Sequence, residues 1–229
     1  MVLDYRGYVD LLCSTEDCRS ELEEVLRVFV ELLYDVKELR LPELDVDPSR
    51  LPLLAGGVRG GLEGVLEIVK DIFRRHELDV GYVSIRDVME GSLEGERALV
   101  SMLFKRALYE VVRGKDLRLQ WVNGRCPVCG SLPILAIVRR ERGEIFSRDV
   151  LYLRCTCGFT ESYEHFKCPS CGVRGRDAFE YNIVGEITYR TCSRCGHTIG
   201  ILRDNPNLDL DLIMLVVMYG LVALAKERL

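Results

Sequence analysis

Eight cysteines between Cys126 and Cys195 carry the only residue pattern in this chain whose types and spacing point to a definite chemistry. They fall in four close pairs. The first two read Cys126-Pro127-Val128-Cys129-Gly130 and Cys155-Thr156-Cys157-Gly158. The last two read Cys168-Pro169-Ser170-Cys171-Gly172 and Cys192-Ser193-Arg194-Cys195-Gly196. In Cys-x-x-Cys-Gly the chain turns tightly, so two thiolates converge and amides of the turn can donate to sulfur. The glycine takes the left-handed conformation that closes the turn. Two such knuckles facing each other supply four sulfurs at ~2.3 Å from a tetrahedral ion. Zinc and iron both accept this set, and the sequence does not separate them. Disulfides or buried free thiols are the alternative, and four pairs in so short a stretch argue against them.

The pairs form an internal repeat. Each copy joins Cys-Pro-x-Cys-Gly to a later Tyr-x-x-Cys, from Tyr152 in the first copy and Tyr189 in the second. One site thus groups Cys126, Cys129, Cys155 and Cys157. The other groups Cys168, Cys171, Cys192 and Cys195. A crossed arrangement would mix the halves; the repeat favours closure within each copy. Two metal ions, zinc or iron, are therefore expected. Each module is too small to fold on apolar burial alone, and metal binding supplies on the order of 10 kcal/mol.

One knuckle departs from the pattern. Cys155-Thr156-Cys157 has one intervening residue where the others have two, so either the first site is distorted or one thiol is not a ligand. His165 is near enough in sequence to substitute, although a lone histidine there is more often an ordinary strand residue. His197 reads as a surface residue. On spacing alone the second site is the tighter, and serine at Cys157 costs less than serine at Cys168 or Cys192. Cys13 and Cys18, five apart, do not share a face on one helix and read as structural, with a local disulfide as the lesser alternative.

The elements that position these residues follow from periodicity. Residues 1–119 read as a helical bundle. One helix starts at Ser20, capped by a Ser20/Glu23 box, with Leu22, Val25, Leu26, Phe29, Leu32, Leu33 and Val36 on one stripe. A second covers residues 62–76 and a third 94–113, with Gly114 as its stop. Gly56-Gly57 and Gly60-Gly61 mark a loop or a close backbone approach. Residues 134–139 and 149–154 read as one hairpin, and 179–184 and 187–191 as another around Gly185. A last helix runs from about Asn207 to Leu229, acidic at its start and basic at its end as the helix dipole favours. The expected fold is α+β: a helical domain (1–119), two rubredoxin-like or zinc-ribbon β modules (120–162 and 163–204), and a C-terminal helix (205–229).

Charge narrows the function. The 229 residues carry a net −5, made of −7 over residues 1–119, +3 over 120–200 and −1 over 201–229. A divalent ion with four thiolates is formally −2, so two sites bring the middle segment near −1, which weakens a basic-patch reading. The start, Met1-Val2-Leu3-Asp4-Tyr5-Arg6, lacks the pattern of a secretory leader. The uncharged run from Leu212 to Ala225 is short for a bilayer span. A soluble cytoplasmic protein is expected, with no membrane partner.

The cysteine region resembles the formate dehydrogenase accessory protein family, FdhE. The residues that carry this are Trp121 ahead of Cys126-Pro127-Val128-Cys129-Gly130-Ser131-Leu132-Pro133, then Tyr152-Leu153-Arg154-Cys155. Lys167-Cys168-Pro169-Ser170-Cys171 and Thr191-Cys192-Ser193-Arg194-Cys195-Gly196 complete it. It covers residues 118–229 well and the N-terminal half by architecture only. It implies a cytoplasmic, non-enzymatic protein with rubredoxin-like metal sites. Such a protein binds the molybdenum- or tungsten-pterin catalytic subunit of a formate dehydrogenase and supports its maturation. The family has Cys-x-x-Cys where this chain has Cys155-Thr156-Cys157.

Two other readings compete. A nucleic-acid-binding zinc ribbon would use Arg139, Arg140, Arg142, Arg174 and Arg176 on phosphates; the acidic helical half argues against it, and no nucleic-acid partner is expected. A rubredoxin-like electron carrier would leave that helical half unexplained. No catalytic triad, phosphate loop or dinucleotide fingerprint is present. Self-association into a homodimer stays open.

Overall fold

The computed structural model describes residues 5–91, 96–115, 117–143 and 146–227. It mixes helix and sheet as expected, and it divides into two compact units. One comprises Met1–Val28, Leu132–Cys155 and Thr160–Leu229; the other comprises Phe29–Ser131 and Thr156–Phe159.

The first unit is built on one six-stranded sheet. Its strands are β1 (Leu135–Arg142), β2 (Ser147–Arg154), β3 (Thr160–Tyr163), β4 (Phe179–Val184), β5 (Ile187–Cys192) and β6 (Thr198–Arg203), in the order β3-β2-β1-β6-β5-β4. The repeat is visible in this order. Each copy contributes a three-stranded antiparallel meander, and in each the third strand follows the second knuckle. The meanders join through a parallel pairing, β1 with β6, from Leu135↔Gly200 to Val138↔Arg203. Both expected hairpins are present, the first with longer strands than expected. The third strands, β3 and β6, were not expected.

Helix α1 (Arg6–Val9), the start of α2 (Glu16–Glu38) and α6 (Leu210–Glu227) complete this unit. Two glycines let α6 lie against the sheet. A Cβ at Gly200 would stand 2.7 Å from Val217, and one at Gly220 would overlap the Tyr189 hydroxyl. Asp209 caps α6, its carboxylate accepting from the Asp211 amide at 2.7 Å. Asp211 pairs with Arg154 of β2, both nearly buried. The ends of the expected last helix, Arg228 and Leu229, lie outside the described residues.

The expected start of α2 at Ser20 is corrected to Glu16. Thr15 accepts from the Cys18 amide at 3.4 Å, and Glu16 and Asp17 sit in the first turn where the dipole favours them. The predicted stripe holds, with Leu22, Leu26, Phe29, Leu32, Leu33 and Val36 buried. Cys13 therefore precedes the helix rather than sharing it, and it forms a disulfide with Cys18. Just before it, the Leu11 carbonyl accepts from Glu186 at 2.8 Å, in the β4–β5 turn.

The second unit holds the rest of α2, a wide single turn at Leu53–Gly57, α3 (Leu62–Arg75), α4 (Ile85–Glu90) and α5 (Glu96–Arg113). Helix α3 buries Val65, Leu66, Val69, Ile72 and Phe73, and α5 buries Val100, Leu103, Phe104, Ala107 and Leu108. The expected start of α5 at Glu94 lies outside the described residues. Helix α4, capped by a Ser84/Asp87 box, was not expected. Gly57 is a close approach, since a Cβ there would stand 2.5 Å from the Arg50 carbonyl oxygen.

Candidate metal centres

The eight cysteines gather into two groups of four, Cys126, Cys129, Cys155 and Cys157, and Cys168, Cys171, Cys192 and Cys195. Within each group the sulfurs lie within 4.8 Å of one another. This is the closure within each copy that the repeat favours, not the crossed one. In the second group Cys168, Cys171, Cys192 and Cys195 are all free thiols. A tetrahedron of ~2.3 Å metal–sulfur bonds has edges of about 3.8 Å. The sulfurs of Cys168 and Cys195, and of Cys171 and Cys192, are 3.7 Å apart, and those of Cys126 and Cys157 are 3.5 Å apart. The donor sets fit a four-coordinate ion of zinc or iron size, and both groups could hold one.

Three knuckles share one backbone design. The glycine amide donates to the first cysteine's carbonyl: Gly130 to Cys126 at 2.8 Å, Gly172 to Cys168 at 3.0 Å, Gly196 to Cys192 at 2.8 Å. The first cysteine's amide then donates to the residue after the glycine: Cys126 to Ser131, Cys168 to Val173, Cys192 to His197. The three glycines have φ of 78°, 72° and 72°, the left-handed region that lacks a penalty only for glycine. Amide-to-sulfur bonds follow as expected. Cys168 sulfur accepts from the Cys171 and Ser170 amides, and Cys195 sulfur from that of His197.

The knuckle shortened by one residue ends in Gly158 at φ 101°, outside the range of the other three. Its sulfurs nevertheless join the first group. The side chain of Arg106, on α5, lies against it, and a Cβ on Gly158 would stand 2.2 Å from the guanidinium. Arg106 is 7% exposed and pairs with Glu110 at 2.8 Å. Phe159, the next residue, meets Trp121 and Tyr109 edge-on, with ring centres 5.4 and 6.5 Å away. Sequence reasoning singled out Trp121 only through the family resemblance and Arg106 not at all, since an arginine on a helix is ordinarily solvated. The other knuckle of this group is braced by backbone, with Leu53 and Leu54 amides donating to the Pro127 and Val128 carbonyls at 2.8 Å each.

The groups differ in access. Cys126, Cys129, Cys155 and Cys157 are all buried. In the second group Cys168 and Cys192 are buried against Phe179, Cys171 is half-buried and Cys195 is exposed. Burial pushes the Cys168 thiol up to about 12. At Cys195 burial also opposes ionisation, but hydrogen bonds led by the His197 amide outweigh it and bring the thiol to about 7.

Neither histidine joins a group. His165 meets the Asp149 carbonyl at 3.2 Å, and His197 meets that of Pro133 at 2.9 Å. Burial lowers the His197 pKa, so a neutral imidazole donating from Nε2 suits that contact. Of the arginines a phosphate-binding face would use, Arg139 pairs with Asp204, Arg174 with Glu164, and Arg176 lies over the Phe166 ring. Among the described residues, no helix is long and apolar enough to cross a membrane.

No family model matches the chain. Over 87 residues it is 32% identical to the "Protein FdhE homolog" of Aquifex aeolicus. Over that stretch the chain is similar in sequence to an FdhE homolog. That match takes in 36% of this chain and 30% of the relative, so it spans under a third of the relative's length. The crystal structure of the FdhE protein from Pseudomonas aeruginosa aligns over 94% of this chain and 76% of that one, with a TM-score of 0.48 and 16% identity.

Proposed function

We propose that this chain is a cytoplasmic accessory protein. It binds the catalytic subunit of a formate dehydrogenase, a molybdenum or tungsten pterin enzyme, and supports its maturation. The observation that carries this reading is the sequence match to the FdhE homolog, in a chain whose eight cysteines gather as two tetrathiolate donor sets. In this reading all eight cysteines are ligands, and the ions fold the two ribbon modules rather than react. The modules span residues 120–162 and 163–204, between the helical domain (1–119) and the C-terminal helix (205–229). The closed first donor set supports a structural role for its ion, because a reactive metal centre keeps a coordination position open.

Affinity capture of the full chain from its native host, with metal analysis of the same sample, tests the proposal. The expected result is one pterin-enzyme catalytic subunit recovered in stoichiometric yield, with two zinc or iron ions per chain. Recovery of RNA or DNA alone, in a salt-dependent way, overturns the accessory role. A chain that purifies gently without metal overturns the ligand assignment.

A further inference from the structure

β4 is an edge strand of the six-stranded sheet, and its sequence does little to protect that edge. Edge strands in monomeric proteins are ordinarily short, or are interrupted by proline, lysine or a bulge. The opposite edge, β3, obeys this rule with four residues, Thr160–Tyr163. β4 reads Phe-Glu-Tyr-Asn-Ile-Val, and its ladder with β5 runs unbroken from Phe179↔Cys192 to Val184↔Ile187. In an antiparallel pair every second residue turns its N–H and C=O away from the partner, so β4 offers a row of such groups outward.

The side chains on that edge form two different stripes. Tyr181 and Ile183 point to one face and are 51% and 71% exposed. Glu180 and Asn182 point to the other and are also exposed. Asp177 and Glu186 add exposed carboxylates at the two ends of the strand. Arg176, an exposed cation just ahead of the strand, lies over Phe166 at 4.8 Å. Past the turn, Glu186 lines a cavity of about 380 Å³ with Leu11, Leu202, Arg203, Leu208 and Ile213, and with Asp204, which Arg139 pairs.

We infer that β4 is a docking edge for an extended segment of another protein that alternates apolar and basic residues. The segment adds as a seventh strand by main-chain hydrogen bonds. Its apolar residues fall beside Tyr181 and Ile183, and its basic residues beside Glu180 on the other face. An apolar residue beyond the turn enters the cavity, whose rim carries Glu186 at the end of the strand. The acidic border selects this occupant over a neutral or acidic strand. The inference rests on the accessory reading only for the identity of the partner; capture of a strand of this kind is independent of it.

The test uses the full, metal-loaded chain and labelled peptides of about ten residues that alternate valine with lysine or with glutamate. By fluorescence anisotropy the lysine peptide binds at least about tenfold more tightly than the glutamate peptide. Ile183→Lys, at an exposed position, weakens that binding by at least about tenfold, with an unchanged melting curve. Glu180→Lys narrows or reverses the preference for lysine. Absence of binding by either peptide overturns the inference, as does equal binding by Ile183→Lys. A wild-type dimer in sedimentation that Ile183→Lys dissolves also overturns it, because a second copy then occupies the edge. Capture of the formate dehydrogenase subunit separates the two proposals. If wild type and Ile183→Lys retain it equally, the client docks elsewhere and its assignment to this edge fails while the accessory role stands. If wild type retains none, the accessory role fails and the peptide result alone decides the edge.

Discussion

The two tetracysteine groups have the same donor chemistry and arise from copies of one repeat, yet they sit in opposite surroundings. The first lies wholly inside the protein, with Arg106, Tyr109, Phe159 and Trp121 around its shortened knuckle. The second opens to solvent at Cys195, and Cys171 is only half-covered. Spacing makes the second the better site, because each of its knuckles has two intervening residues. Burial makes the first the better shielded. Retention of a metal depends on how water, competing ligands and oxidants reach the thiolates, so surroundings outweigh the missing residue. The duplicated module has become one closed centre and one accessible centre.

The largest effect should therefore come at the first site. Cys157 is fully buried, so serine there leaves a hydroxyl out of water among three thiolates. Cys195 is exposed, and a serine there reaches solvent. Cys157→Ser should lower the affinity of its own site at least about 100-fold, and Cys195→Ser should lower that of the second site about tenfold. Competition with a chromophoric chelator reads both. In wild type the same assay should show two phases, the faster one belonging to the second site and removed selectively in Cys195→Ser. If Cys157→Ser proves the milder change, spacing outweighs burial and the comparison reverses.

A smaller effect separates the sites through their glycines. Gly172 and Gly196 have open space where a Cβ would stand, so alanine meets only the penalty of a positive φ, about 1 kcal/mol. Alanine at Gly158 adds a clash with the guanidinium of Arg106, which is 7% exposed and has little room to retreat. Gly158→Ala should cost about 2–3 kcal/mol in a denaturant titration, against about 1 for Gly172→Ala. Adding Arg106→Ala should lose less than the sum of the two single changes, because it removes the atom the new methyl strikes. Equal costs at Gly158 and Gly172 would show that Arg106 does not brace the first site.

Much of this was legible because the information is local. A Cys-x-x-Cys-Gly run encodes its own turn, and three such runs closed with the same hydrogen bonds. Helix α3 and the hairpin at Gly185 were legible from a stripe and a turn residue. Non-local features were not. Thr160–Tyr163 reads Thr-Glu-Ser-Tyr, without an apolar alternation, and is a strand because β2 pairs with it. The parallel join of β1 with β6 links residues more than sixty positions apart. The Ser20/Glu23 pattern matched a capping box, but Thr15 with Glu16 and Asp17 starts the helix a turn earlier. That one shift also moved Cys13 off the helix and made its disulfide with Cys18 geometrically available. Of the site's surroundings, Arg106 was anonymous, since only the fold brings α5 to Gly158.

The smallest expected effect concerns how each group's Cys-Pro-x-Cys knuckle is braced. At the first group the braces from Leu53 and Leu54 to Pro127 and Val128 are backbone hydrogen bonds, which neither salt nor mild acid alters. At the second, the loop from Lys167 to Arg174 is clamped at the surface by one carboxylate. Glu164 accepts from Arg174 at 2.9 and 3.1 Å and from Lys167 at 3.1 Å. These partners, Arg174 first, hold its carboxyl well below the usual 4.5, at about 2. A depressed carboxylate pKa stabilises the fold fully above about 4.5, and the contribution is lost as pH falls toward 2. At neutral pH the clamp is therefore intact, and Glu164→Gln or high salt removes it. Because the pair is exposed, the gain in metal release from the second site should be modest, at most about fivefold, with the first site unchanged. Chelator kinetics in about 50 mM and about 1 M salt measure this. A salt response of equal size at both sites would mean that the clamp does not act on the Cys168–Cys171 knuckle, leaving the exposure of Cys195 as the whole of the difference.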